Sequence, residues 1–203
     1  MSKQRSSKDQ QMRLRIAQDA ARLMAEDGQL DFHSAKRKAA AHLGADDTHN
    51  LPHNQEIDEA LQAYQRLFQT DSHPQHLLQL RQTALEAMRL LADFDPHLAG
   101  PVLWGTAGPH TEVTLHLYAP TVESVLFYLM DQEIPYEQGE SLLRFNGHEQ
   151  PFPCLRFLAG EEAIELVILP DTRLRQPPKS PLDGKPMKRA RLNELQKLLQ
   201  TDN

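Results

Sequence analysis

The sequence predicts an α+β protein: a helical N-terminal region of about four helices, then a small mixed-sheet domain, then a C-terminal helix. Residue usage predicts the sheet. Of five Val and five Ile, only Ile16 and Ile57 precede residue 101, and the other eight lie between 102 and 168. Strands favour β-branched residues, so the sheet belongs to the second half. Periodicity predicts the helices, because apolar residues of the first half recur every three or four positions. Charge divides the chain at similar places. Residues 1–100 carry 12 Lys/Arg and 14 Asp/Glu, residues 101–170 carry 2 and 10, and residues 171–203 carry 8 and 4. The expected divisions are 1–98, helical; 101–170, sheet; and 171–203, a basic Pro-rich strap and helix.

Composition excludes several classes. The 203 residues are 39% apolar and 25% charged, which suits one or two ordinary globular domains. The longest apolar run, Val125 to Met130, is far short of the ~18 residues that span a bilayer. The N-terminus is polar with no apolar segment of secretory type behind it. A single cysteine, Cys154, excludes an internal disulfide and a multi-thiolate metal site. The expectation is a cytoplasmic protein with no membrane partner.

In the helical part, Met12, Ile16, Ala20 and Leu23 mark a first helix, with Gly28 as its C-cap. Asp31 caps a second helix through Ala35, Ala39 and Leu43, ending at Gly44. Residues 44–53 read as a loop. Asn54 is expected to cap a third helix bearing Ile57, Leu61, Tyr64 and Leu67 or Phe68. Pro74 opens a fourth, with Leu78, Leu85, Met88 and Leu91 inward. Four striped helices suggest a bundle or a platform for a protein partner. Lys36-Arg37-Lys38 fans around its helix and reads as a solvated surface rather than a phosphate patch. His49 with His53 and His73 with His76 have zinc-compatible spacing, but no cysteine or third ligand accompanies them.

In the sheet part, Pro101 to Gly105 reads as a short buried strand ending at glycine. Glu112 to Tyr118 alternates as a half-buried strand. A helix runs from Pro120 to about Gln132. Ile134 to Glu137 is a brief strand or turn. Strands follow at Ser141 to Phe145, Pro153 to Leu158 and Ala163 to Leu169. The last is apolar except for Glu165, as a central strand would be.

This order, with Gly105-Thr106 after the first strand, Thr111-Glu112-Val113-Thr114-Leu115 opening the second and Ile164-Glu165-Leu166-Val167 in the last, resembles the nucleotidyltransferase domain of the DNA polymerase β superfamily. In that superfamily a strand ends in Gly-Ser, a following strand carries two carboxylates one residue apart, and a later strand carries a third. The resemblance covers about a third of the chain. It implies Glu112 and Glu165 as catalytic residues holding Mg²⁺, and Gly105 and Thr106 as contacts to a nucleotide triphosphate. Carboxylates converging on Mg²⁺ would activate a hydroxyl against an NTP. Thr114 stands where the middle carboxylate would be, and a neutral hydroxyl is a poor Mg²⁺ ligand. The segment from Thr106 to Glu112 is also short. Both departures point to a domain impaired in catalysis that binds a nucleotide, RNA or a protein. The helical front and the Pro-rich, Arg-rich end are also similar to a bacterial family from which no function is carried over. A non-catalytic adaptor acting through the helical half is the alternative.

In the tail, five of the fourteen prolines fall between 170 and 186, which makes that stretch extended, with a turn at Asp183-Gly184. A helix is expected from Met187 to Leu199. Lys185, Lys188, Arg189 and Arg191 then cluster at its start, where they oppose the helix dipole. A nucleotide phosphate at Arg189 and Arg191 would relieve that, and so would docking on the acidic sheet domain. Cys154 reads as a buried, inert thiol.

Overall fold

The computed structural model describes residues 2–27, 30–45, 49–70, 72–171 and 176–201, the first six of these as backbone alone. The chain forms two units: residues 1–74 with 106–111, and residues 75–105 with 112–203. The fold is α+β, with the sheet confined to the second unit.

The first unit contains α1 (Ser2–Asp27), α2 (Phe32–His42) and α3 (Asn54–Phe68). Helix α1 packs against both others. Their shared core holds Ile16, Ile57 and Leu61 among seven alanines, including Ala17, Ala20, Ala35 and Ala39. Small side chains at the contact let helix backbones approach closely. Asp31 caps α2 as expected, accepting from the amides of His33 and Ser34 at 2.8 and 2.9 Å. The cap of α3 is His53 rather than Asn54: Glu56 Oε2 reaches back to accept from the His53 amide at 2.7 Å. Asn54 instead accepts from Lys36 Nζ at 2.6 Å. Arg13 clamps α1 to α3 through Glu56, and this pairing, stronger than the opposing effect of burial, holds the Glu56 carboxyl down to about 2. Gly28 lies outside the described residues.

Helix α4 (Ser72–Leu90) begins in the first unit, and from Gln75 it belongs to the second. So the first unit is built on three helices, and the expected division at residue 98 falls within the second unit. A 3₁₀ turn at Ala92–Phe94 leads to β1 (His97–Ala99). The expected strand at Pro101 to Gly105 is instead a one-turn helix, α5 (Pro101–Trp104). Pro101 suits the first helical position, and Gly105, at φ 87°, ends the turn in the left-handed region that glycine tolerates. Arg81 of α4 is buried and donates from Nε to the Val102 carbonyl at 3.1 Å and from Nη2 to that of Leu103 at 3.3 Å, so it satisfies the end of α5.

Then come β2 (Val113–Tyr118), α6 (Val122–Asp131), β3 (Glu137–Phe145), β4 (His148–Ala159) and β5 (Glu162–Leu169). The sheet order is β1-β2-β5-β4-β3. Only β2 and β5 pair in parallel. Strand β3 is longer at its start than the sequence suggests, because its first half is polar and lies on an edge. One sheet face carries Leu98, Val113, Leu115, Leu117, Ile164, Leu166, Ile168, Leu155 and Phe157, all buried. The other face is divided: Tyr118, Leu143, Phe145, Phe152, Cys154, Val167 and Leu169 form an apolar cluster, while Thr114, Glu165 and Arg156 stand together beyond it.

The tail is a strap. Lys179 N donates to Arg144 O on the β3 edge at 2.7 Å, and Ala190 exchanges two backbone hydrogen bonds with Leu98 on the β1 edge. Between them, Asp183 and Gly184 make the expected turn. Helix α7 (Leu192–Thr201) starts later than Met187, because Ala190 is taken by a bridge to Leu98 on the β1 edge. Glu194 Oε2 accepts from the Arg191 amide at 2.7 Å, so a carboxylate serves this helix start and the basic residues lie upstream of it.

Replacing Arg81 by Met keeps much of its packing but leaves the α5 carbonyls without their donor. Hydrogen bonds from a charged donor are worth about 1.5–3 kcal/mol, so the urea midpoint of Arg81→Met should fall by a corresponding amount.

Candidate functional site

Glu112 and Glu165 do come together, but around a guanidinium. Register puts Thr114 of β2 and Arg156 of β4 on either side of Glu165 of β5, all on one face. Arg156 Nη2 donates to Glu165 Oε1 at 2.5 Å, and its Nε donates to Glu112 Oε2 at 3.3 Å. Glu112 sits just before β2 at the same end. The side chain of Glu165 is 11% exposed and that of Arg156 40%, so the carboxylate lies deep and the guanidinium meets solvent. Burial is the largest influence on Glu165 and pushes its carboxyl up, and Arg156 acts against that rise.

Gly139 on β3 makes this geometry possible. A Cβ there would lie 3.0 Å from Arg156 Nη1 and 3.4 Å from Cys154 Sγ. Glycine leaves the space into which the guanidinium turns. Cys154 is buried, and burial pushes its thiol up, with the neighbouring Glu165 adding to the effect. A thiol held protonated is a poor nucleophile, as the sequence suggests.

The residues present do not fit Mg²⁺. A divalent ion between Glu112 and Glu165 would need the position that Arg156 fills, and Thr114 offers no charge. Among the described residues, no group of three or more His, Cys, Asp or Glu is arranged to hold a metal ion.

The other expected contacts are distributed differently. Gly105 closes α5 in the second unit, and Thr106 begins the short segment that belongs to the first. Thr106 is buried and its carbonyl accepts from Gln65 Nε2 at 3.3 Å. Arg189 and Arg191 flank Ala190 in the strap. Arg189 is hydrogen-bonded to the Tyr118 hydroxyl, with its guanidinium carbon 5.6 Å from the ring centroid. Arg191 donates from Nε to His97 Nε2 at 3.1 Å and approaches Asp95 at 3.6 Å.

This second cluster contains two histidines that the sequence reading leaves aside. His97 and His116 face each other across β1 and β2. His97 Nδ1 lies 2.8 Å from the Asp95 carbonyl, which only accepts, so Nδ1 carries the proton and Nε2 is the acceptor for Arg191. His97 also meets the Tyr118 ring edge-on at 5.4 Å. His116 is 1% exposed and its Nδ1 has no hydrogen-bond partner among the described residues. Burial lowers both imidazoles, His116 to about 3, and the nearby Arg189 acts in the same direction on both. Alternation could have placed His116 on the Thr114 face, but β1 is three residues long and gives no periodic signal for His97.

No protein-family model matches the chain, and no curated protein matches it. No helix among the described residues is long and apolar enough to cross a membrane.

Because the folded state holds His116 neutral and the unfolded chain protonates it near pH 6.5, the unfolded state binds more protons below that pH. Stability therefore falls as pH drops from 6.5 toward 5, by up to about 1.4 kcal/mol per pH unit from such a group. Urea midpoints measured at pH 7.5 and 5.5 should differ less in His116→Phe than in the natural chain.

Proposed function

We propose that the sheet unit is a nucleotidyltransferase-like domain that binds a nucleotide without transferring it. The observation that carries this reading is Arg156 between Glu112 and Glu165. Nucleotidyl transfer needs carboxylates that converge on a divalent ion with coordination positions open to triphosphate and hydroxyl. A guanidinium neutralises carboxylates but offers no coordination position and cannot activate a hydroxyl as a Lewis acid. Thr114 at the middle position works in the same direction. The nucleotide would be held by its phosphates at Arg189 and Arg191, with Lys188 beside them. Binding of this kind is metal-independent.

A second reading is a protein adaptor, favoured by the end of α3. Leu67 and Phe68 are 73% and 70% exposed, and Phe68 stacks on Tyr64 at 4.8 Å. Adjacent large apolar side chains at a helix end suit a partner surface.

The test is a melting panel with each NTP in EDTA and in Mg²⁺ or Mn²⁺, run beside a transfer assay with labelled NTPs. A nucleotide at ~100 times its Kd adds about 2.7 kcal/mol and should raise Tm by a few degrees with or without metal. The Arg189→Ala, Arg191→Ala double variant should lose that rise, and no labelled product should form. Metal-dependent transfer that disappears in Glu165→Ala would restore the catalytic reading. A flat panel would favour the adaptor, for which Leu67→Ser with Phe68→Ser should abolish partner capture.

Arg156→Ala tests the carrying observation itself. It leaves two carboxylates facing each other, so Tm should fall in EDTA. Mn²⁺ should then raise the Tm of the variant and leave that of the natural chain unchanged. Equal insensitivity to Mn²⁺ in both would show that Arg156 does not stand in a cation position.

A further inference from the structure

We propose that the C-terminal strap is an acid-released latch on the β1 edge of the sheet, with His97 as the residue that holds it shut. The backbone contribution at that edge is small: Leu98 N donates to Ala190 O at 2.8 Å, and Ala190 N donates to Leu98 O at 2.9 Å. Two hydrogen bonds at an edge are a weak hold by themselves. The side chains on either side of Ala190 add to it, Arg189 on Tyr118 and Arg191 on His97 and Asp95, and α7 beyond them packs on β1 and buries Leu195.

The Arg191 contact works only with neutral imidazole. His97 Nδ1–H is committed to the Asp95 carbonyl, so Nε2 is the acceptor that Arg191 uses. A proton on Nε2 removes that acceptor and sets two cations face to face. The groups around His97 do little to absorb the added charge. Among the described residues, Asp95 is the carboxylate that acts on His97 directly, and it already serves Arg191. Arg189 and Arg191 approach from the strap, and His116 and Tyr118 from β2. Of the helices packed on β1, α5 has no titratable residue, and α7 contributes Glu194, whose carboxylate is held by the Arg191 amide, and Lys197. Burial resists protonation while the strap is closed, which is why acid favours the open form.

If His97 regains an ordinary value of about 6.5 when the strap leaves, the open fraction rises between pH 7.5 and 5.0, by about thirtyfold at the upper bound at which the closed form takes up no proton. Opening frees the Leu98 N–H and C=O and exposes the outer edge of β1, which can then accept another strand.

The experiment is amide hydrogen exchange on the full chain at pH 7.5 and 5.0, corrected for intrinsic exchange rates. The amides of Leu98 and Ala190 should lose protection severalfold, up to about thirtyfold, while that of Leu166 in central β5 keeps its own. His97→Gln retains an acceptor for Arg191 and a donor for Asp95 but does not titrate, so its Leu98 and Ala190 amides should stay protected at both values. Arg191→Ala, a change at a half-exposed side chain, should lower protection of both amides already at pH 7.5. Unchanged wild-type protection at pH 5.0 would overturn the latch, as would acid opening in His97→Gln. Should His97→Gln fail to fold, Arg191→Ala decides alone: wild-type protection at pH 7.5 in that variant overturns the proposal.

Discussion

The parallel pairing of β2 with β5 is the constraint on which the second unit depends. It joins strands about fifty residues apart, and a parallel partner cannot be reached by a tight turn. Helix α6 and the β3–β4 hairpin fill that interval. Because the pair lies at the centre of the sheet, both strands need apolar residues, and Leu115, Leu117, Ile164 and Leu166 are fully buried. The same register brings Thr114 opposite Glu165 and His116 opposite Val167. The polar corner and the histidine corner are thus consequences of one pairing. A shift of β5 by one residue would turn Glu165 into the aliphatic layer and point Leu166 outward.

How much of this was legible depended on whether a residue's role is local. Asp31 as a cap, the alternation of Val113, Leu115 and Leu117, and the Asp183-Gly184 turn are all set within a few residues, and the chain adopts them. Strand β1 was not legible, because three residues, His-Leu-Ala, carry no period, and their strand character comes from pairing with β2. The α5 segment misled for a related reason. Pro-Val-Leu-Trp is apolar enough for a buried strand, and its helical turn is held by Arg81, twenty residues earlier in sequence. Helix α7 starts late because Ala190 is drawn into an edge pairing that only the tertiary fold supplies. At the candidate site, the resemblance to the nucleotidyltransferase domain pointed to Glu112 and Glu165. Their meeting at Arg156 rests on the β4–β5 register, which places Arg156 opposite Glu165. Gly139 gave no signal at all, as its meaning lies in the side chain across the strand pair.

Charge distribution shows the same difference between composition and contact. The acidic middle and basic tail suggested a broad electrostatic match. In the fold, most of the middle segment's carboxylates, Glu123, Asp131, Glu133, Glu137, Glu140, Glu149 and Glu161 among them, are on the exposed surface. The tail arginines engage a tyrosine hydroxyl, an imidazole and one aspartate. Surface charges separated by solvent interact weakly, whereas a guanidinium against a half-buried acceptor is held by geometry. The strap is therefore secured by a few directional contacts. This is the kind of hold that the loss of one acceptor can undo.

Arg156 poses the corresponding question on the other side of Thr114. A metal ion and a guanidinium both neutralise paired carboxylates, yet they differ in what they leave open. A metal ion keeps positions for incoming oxygens and concentrates charge on one atom. Guanidinium spreads a single charge over a plane, and its position is fixed by its own strand, so β4 is tied to β5 at Glu165 and to the start of β2 at Glu112. The tie turns a cluster of the kind that could bind a cation into a cross-link of the sheet. A corner built this way cross-links strands and does not activate a hydroxyl, and the proposed loss of transfer chemistry follows from that exchange of cations.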